Sequence, residues 1–262
     1  MDLPVGAILG AAPKVPGGRG DGLCHRQPSP SLGAMPDRIP DTSDKPWEAS
    51  SYWDGRFATL DTPWELGRPS SVLLEALDAA QGLGLSVRGA RTLSPGCGRG
   101  EDAIALAERG AEVTALDWSQ CAIAELSKRI ESLGPAVRGR ITVASGDFFA
   151  EAPGALDLVV EHTFFCALDP SRRPQYAEAL GRIVRPGGFL VGNFFVVSEG
   201  EIGSLPNRSL TRQGVGPPFA ATAEEIGGLF SQSFELFELR PALHPEDDRR
   251  PGVEWVGILR RR

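Results

Sequence analysis

Three glycines, Gly96, Gly98 and Gly100, sit at alternate positions in the run Leu93-Ser94-Pro95-Gly96-Cys97-Gly98-Arg99-Gly100-Glu101-Asp102, between an apolar strand-like run and a helical pattern. Glycine has no Cβ, so such a turn lets the backbone lie against a ligand and adopt positive φ. The next apolar run ends in Ala115-Leu116-Asp117, which puts a carboxylate at the end of a second strand, where it accepts hydrogen bonds from two ribose hydroxyls. The pair of features predicts a site for an adenosine-bearing cofactor. Spacing narrows the choice. A dinucleotide turn, G-x-G-x-x-G, needs its third glycine where this chain has Glu101, and Glu101 and Asp102 at a helix N-terminus repel a pyrophosphate. A cofactor without phosphate fits, namely S-adenosylmethionine, with S-adenosylhomocysteine as its product.

Further along, Ser145-Gly146-Asp147-Phe148-Phe149 follows a third strand-like run. Asp147 is placed to accept from an adenine amino group and Phe148 to stack on the ring. Glu161-His162-Thr163-Phe164-Phe165-Cys166 leaves the carboxyl end of a fourth strand, the edge at which open α/β sheets bind ligands. Glu161 is expected beside the cofactor. His162 is expected to orient or deprotonate an acceptor, since imidazoles as a class titrate near neutral pH. Arg172 and Arg173 open the next helix, and one pointing inward would attract an anionic acceptor. No Asn/Asp-Pro-Pro-Tyr follows the fourth strand, so the signature of methylation at a planar amino nitrogen is missing. Trp53, Phe57 and Trp64 precede the sheet without an evident helix or strand of their own. They read as a lid that excludes water from the cleft.

These groups need a scaffold that brings strand ends together. Strand-like runs fall at Arg91–Ser94, Glu112–Leu116, Ile141–Ala144, Leu156–Val160 and Phe189–Val197, with helical patterns at Pro69–Ala80, Gly100–Arg109, Ser119–Leu133 and Ser171–Val184. Such alternation predicts an α/β fold with a doubly wound, mostly parallel sheet. An Arg185-Pro186-Gly187-Gly188 turn leads into the fifth strand, and Thr222 with Glu225 reads as a capping box for a short late helix. Runs at Phe234–Leu239 and Val253–Leu259 add a C-terminal antiparallel hairpin, making seven strands.

The chain of 262 residues, 41% hydrophobic and 23% charged, is long enough for one large core. A net charge of -7 argues against a nucleic-acid substrate and for a small molecule. The four cysteines form no C-x-x-C pair, so neither a metal site nor a disulfide framework is expected, and the reducing cytoplasm is the expected compartment. No segment reads as a membrane span or a secretory signal. Residues 1–45 are Pro/Gly-rich and expected to be disordered; Met35 offers an alternative start. Residues 46–262 form the expected catalytic domain, with 46–68 as its aromatic lid.

The combination Trp53-Asp54-Gly55-Arg56-Phe57, Thr62-Pro63-Trp64-Glu65, Pro95-Gly96-Cys97-Gly98-Arg99-Gly100, Asp147-Phe148, Thr163 to Leu168, Pro170 to Arg173 and Gly216-Pro217-Pro218-Phe219 resembles the thiopurine methyltransferase family, and within it the thiol/halide methyltransferases. The resemblance runs from Pro46 to the C-terminus. It implies a class I methyltransferase fold in which Trp53, Phe57, Trp64, Gly96, Asp117, Asp147 and Phe148 line the cofactor site and Arg173 lies beside the acceptor. Glu161-His162 stands where thiol/halide members usually carry Asp-Tyr, so the acceptor is expected to depart from thiocyanate, halide or sulfide. The expected reaction moves a methyl group to a small soft nucleophile, foremost a thiol, in a monomeric enzyme. Alternatives are another small acceptor (a heteroaromatic thiol, selenol, ring nitrogen or carboxylate), a nucleotide-dependent oxidoreductase, or a non-catalytic cofactor-binding module.

Overall fold

In the computed structural model, residues 45–151, 154–211, 214–246 and 252–262 are described. The disorder expected for residues 1–45, Lys45 apart, and the Met35 start lie outside them. Seven strands form one sheet: β1 (Arg91–Pro95), β2 (Glu112–Asp117), β3 (Ile141–Ser145), β4 (Leu156–His162), β5 (Val184–Phe195), β6 (Phe234–Pro241) and β7 (Glu254–Arg261). Their order is β3-β2-β1-β4-β5-β7-β6. β1 to β5 run parallel, while β7 is antiparallel to both β5 and β6.

The α-helices are α1 (Ser50–Ala58), α2 (Ser71–Gly82), α3 (Glu101–Glu108), α4 (Gln120–Glu131), α5 (Pro135–Arg138), α6 (Phe148–Glu151), α7 (Arg173–Ile183), α8 (Glu199–Ile202) and α9 (Ala223–Phe230). Helices α2, α3 and α4 bury one sheet face with Leu77, Leu106 and Leu126 against Val113, Val160 and Val191. Helices α7 and α9 bury the other, where Leu180 and Phe230 meet Val159 and Leu190. Adjacent strand residues such as Leu190 and Val191 thus go to opposite cores, as a period of two requires.

Local chemistry explains the element ends. Ser70 caps α2, its hydroxyl accepting from the Leu73 N–H, which leaves Pro69 outside the helix rather than in its first turn. Ser119 caps α4 through the Ala122 N–H. The Thr222 hydroxyl accepts from the Glu225 N–H, but the Glu225 carboxylate turns to Arg208 and Arg173, so the reciprocal half of the expected capping box is not made. The Arg185-Pro186-Gly187-Gly188 turn lies inside β5 as an irregularity: Leu156 pairs Val184 and Leu158 pairs Phe189, with Gly187 at φ +77°.

Two expectations change. Trp53 and Phe57 are not in an irregular leader but sit one turn apart on α1. Ser198 to Ala220, whose sequence reads as a loop leading to the late helix, carries the one-turn helix α8. No helix of the described residues is long and apolar enough to cross a membrane.

Candidate active site

The parallel register brings the carboxyl ends of β1, β2, β3 and β4 to one edge. There the glycine turn holds φ of +59°, +53° and +82° at Gly96, Gly98 and Gly100. A Cβ on Gly96 would meet Phe164 Cδ2 at 2.6 Å, so the turn passes too close to the β4 loop for any side chain. The Gly98 N–H donates to Asp117 Oδ2 and the Ser119 N–H to Asp117 Oδ1, both at 2.8 Å. Burial pushes the Asp117 carboxyl up from its ordinary value, and the Ser119 and Gly98 N–H groups pull it back. Each oxygen keeps a lone pair for one more donor, the arrangement a vicinal diol needs.

A cavity of about 880 Å³ opens over this edge, lined by Gly96, Asp117, Asp147, Phe148, Trp53, Phe57 and Trp64 among others. Seven of the expected cofactor residues therefore converge on one space. The aromatic segment before the sheet is fastened at several points. Asp54 on α1 accepts from the Ser119 hydroxyl at 2.7 Å and the Cys121 N–H at 3.1 Å, seating α1 on the α4 N-terminus beside Asp117. Trp64 packs edge-on against Trp53 and Phe57 with centroids 5.6 and 5.8 Å away. Arg99, from the glycine turn, pairs with Glu65 and Glu125, and its guanidinium stands 5.2 Å from the Phe57 ring centroid. Lys45 reaches Asp169 at 2.9 Å, and Trp47 packs edge-on against Phe219.

Gly98 is not among the residues lining the large cavity and lines an adjoining small one of about 40 Å³. Its part is to hold Asp117. Asp147 accepts from the Phe149 N–H at 3.0 Å, which fixes the β3 exit.

Three expected site residues are elsewhere. Glu161 is fully buried under the β4 loop, where Oε1 accepts from the Phe164 and Phe165 N–H groups at 2.9 and 2.6 Å and Oε2 from the Tyr176 hydroxyl at 2.8 Å. Burial pushes its carboxyl up to about 7. It holds a turn in which Thr163 takes φ +64°, a conformation β-branched residues rarely adopt. His162, next along the strand, points to the opposite face, and its Nδ1 lies 2.6 Å from Asp102 Oδ2 on α3. It lines the small cavity and not the large one. Arg173 is 1% exposed; it donates to the Phe219 and Ala220 carbonyls at 2.9 and 3.0 Å, and its guanidinium lies 4.4 Å from the Phe165 ring centroid. It fastens the Pro217–Ala220 segment from behind. Arg172 is the residue of that pair that lines the cavity.

Sequence reasoning missed Trp118 and the anchoring contacts of Asp54 and Asp102. Trp118, which lines the cavity, directly follows the strand-ending carboxylate, a position that signals the nucleoside edge. Asp54 and Asp102 act through tertiary contacts that no local pattern announces.

The thiopurine S-methyltransferase (TPMT) family model matches residues 48–257. The chain belongs to that family. It is 32% identical to "Probable thiol methyltransferase 2" of Arabidopsis thaliana over 68% of this chain and 70% of the relative. It is 31% identical to "Thiocyanate methyltransferase 1" of Brassica oleracea over 56% of this chain and 62% of the relative. Among solved structures, the Burkholderia thailandensis 1,6-didemethyltoxoflavin-N1-methyltransferase, with bound 1,6-didemethyltoxoflavin and S-adenosylhomocysteine, superposes with a TM-score of 0.62 at 18% identity, covering 81% of this chain and 86% of that one. That likeness shows the class I methyltransferase fold.

As a TPMT-family chain it is an S-adenosylmethionine-dependent methyltransferase, and its residues suit that donor. Asp117 offers two lone pairs to a ribose, and aromatic walls surround a cavity large enough for a nucleoside. The first turn of α3 presents Glu101, paired with Arg129, and Asp102, which also accepts from the Ser70 N–H; a pyrophosphate would meet these carboxylates.

Proposed function

We propose that this protein methylates the sulfur of an organic thiol with an apolar or aromatic body. The cavity carries this reading. Besides the residues that would hold the nucleoside, its lining includes Phe149, Phe195, Leu210, Val215, Pro217 and Pro218. A nucleoside-sized donor fills roughly half of such a volume, and an inorganic ion would leave the remainder wet. Relatives named for thiols and for thiopurines support a sulfur acceptor.

The donor supplies an electrophilic methyl on a cationic sulfur. Gly96, Asp117, Asp147 and Phe148 would hold its nucleoside, and Trp53, Phe57 and Trp64 cover it. What remains for the protein is to place the thiolate about 3–3.5 Å from the methyl in line with the breaking bond. A thiolate meeting a cation loses charge on the way to the transition state, so a dry wall favours the reaction without strong acid–base machinery. With His162 bonded to Asp102 and outside the cavity, the thiolate is drawn from the ionised fraction in solution; thiols near pKa 6.5 to 8.5 supply it at neutral pH.

The described lining of the cavity comes from a single chain, in keeping with a monomer. The four cysteines form no C-x-x-C pair, in keeping with a cytoplasmic setting, and the net charge of -7 favours a small-molecule partner over nucleic acid. Competition assays with benzenethiol, hydrogen sulfide, thiocyanate and iodide test the reading. Burying a ring on the apolar wall should raise kcat/KM for benzenethiol about 10- to 100-fold over the inorganic ions. Equal or better turnover of thiocyanate or iodide would contradict it.

A further inference from the structure

We propose that Arg172 selects acceptors that carry an anionic group, a carboxylate above all, besides the reacting sulfur. This inference rests on the thiol-methyltransferase reading and adds the acceptor's charge to it.

Among the described residues, two guanidinium groups line the large cavity, those of Arg56 and Arg172. Arg56 is spent: it pairs with the Asp61 carboxylate at 2.7 Å, donates to the Asp61 carbonyl and the Tyr52 hydroxyl, both at 2.8 Å, and stacks over Trp64. Arg172 is not. Its side chain makes no ion pair or hydrogen bond among the described residues, and its guanidinium lies 4.1 Å from the Phe149 ring centroid. The nearest carboxylate along the chain, Asp169, is already committed to the Ser171 N–H and hydroxyl and to Lys45.

Stacking on Phe149 occupies one flat face of the guanidinium and leaves its edge, a fork of N–H donors matched to a carboxylate, free to bind. The approach is from the acceptor side. Arg172 follows the β4–α7 connection, whose Cys166, Ala167 and Leu168 also line the cavity, whereas the nucleoside residues Gly96, Asp117 and Asp147 stand at the ends of β1, β2 and β3. An apolar bay whose wall holds an unspent planar cation, Arg172, fits a flat ring bearing a thiol and a carboxylate.

The test compares 2-, 3- and 4-mercaptobenzoate with the corresponding mercaptobenzamides, matched in size and differing in charge, for the wild type, Arg172→Met and Arg172→Lys. The wild type should favour the carboxylate of at least one isomer by about 10-fold or more in kcat/KM. Arg172→Met should reduce that preference to within about 2-fold, with amide turnover and calorimetric S-adenosylhomocysteine affinity kept within about 3-fold. Arg172→Lys should recover part of the preference, a point charge replacing the fork. Indifference of the wild type to charge, an equal loss on acid and amide in Arg172→Met, or weakened S-adenosylhomocysteine binding in that variant would each overturn the proposal. Thiol methylation without charge selection defeats this inference alone; failure of every thiol, charged and neutral, defeats the reading beneath it as well.

Discussion

The Tyr176 hydroxyl donates to Glu161 Oε2 at 2.8 Å inside the α7 core, while Glu161 Oε1 accepts the Phe164 and Phe165 N–H groups. One buried carboxylate thus ties the exit of β4, which lines the cavity, to the helix behind it.

Burial raises the Glu161 carboxyl from 4.5 to about 7, against hydrogen bonds from Phe165, Tyr176 and Phe164. Between those values the folded protein binds more protons than the unfolded chain, so this group's contribution to stability is full below about pH 4.5 and is lost as pH rises through 7. A change of that size is worth on the order of 3 kcal/mol. Glu161→Gln keeps an acceptor for both N–H groups but does not titrate. Its melting temperature should therefore rise relative to the wild type on going from pH 5 to pH 8 in paired thermal scans. A constant difference across that range would show that Glu161 does not titrate there.

His162→Ala removes the imidazole that bridges β4 to Asp102 on α3. We expect a stability loss of about 1–3 kcal/mol and a fall in kcat/KM of the same factor from pH 6 to pH 9. A loss large at neutral pH and absent at high pH would return His162 to the role of a base.

The strand and turn that hold Asp117 were legible because each is local: a glycine run, an apolar run and a terminal carboxylate in fixed order. The side chains flanking the acceptor were not. Glu161 and His162 were both expected at the cleft, yet neighbours on a strand face opposite sides, so one enters the α7 core and the other faces α3. Arg172 and Arg173 exchange roles for a related reason. Adjacent residues at a helix start point about 100° apart, and which one turns inward depends on where Pro170 and the Asp169 cap begin the turn. Helix α1 escaped notice because it is short and Gly55 interrupts it, leaving Trp53 and Phe57 as a lone i, i+4 pair.

Arg173→Met leaves the Phe219 and Ala220 carbonyls without their buried donor. The cost should be about 2–4 kcal/mol, read by denaturant unfolding, with acceptor KM rising because the Pro217–Ala220 segment loosens, and S-adenosylhomocysteine affinity unchanged. An unaltered unfolding midpoint together with a raised acceptor KM would mean that Arg173 meets the acceptor directly.

Gly100 holds φ +82°, and a Cβ there would collide with Leu126 on α4. Gly100→Ala combines backbone strain of about 1 kcal/mol with overpacking of about 1–3 kcal/mol. Adding Leu126→Ala should recover part of the overpacking, giving a double variant less destabilised than the sum of the two singles. Strict additivity in unfolding free energies would contradict the contact.

The central claim, that the methyl group lands on sulfur, is tested most directly by supplying S-adenosylmethionine labelled with 13C at its methyl together with a heteroaromatic thiol that also offers a ring nitrogen. The account predicts a single S–CH3 carbon resonance appearing in step with S-adenosylhomocysteine, one for one. An N–CH3 product, or no transfer from a donor shown by calorimetry to be bound, would contradict it.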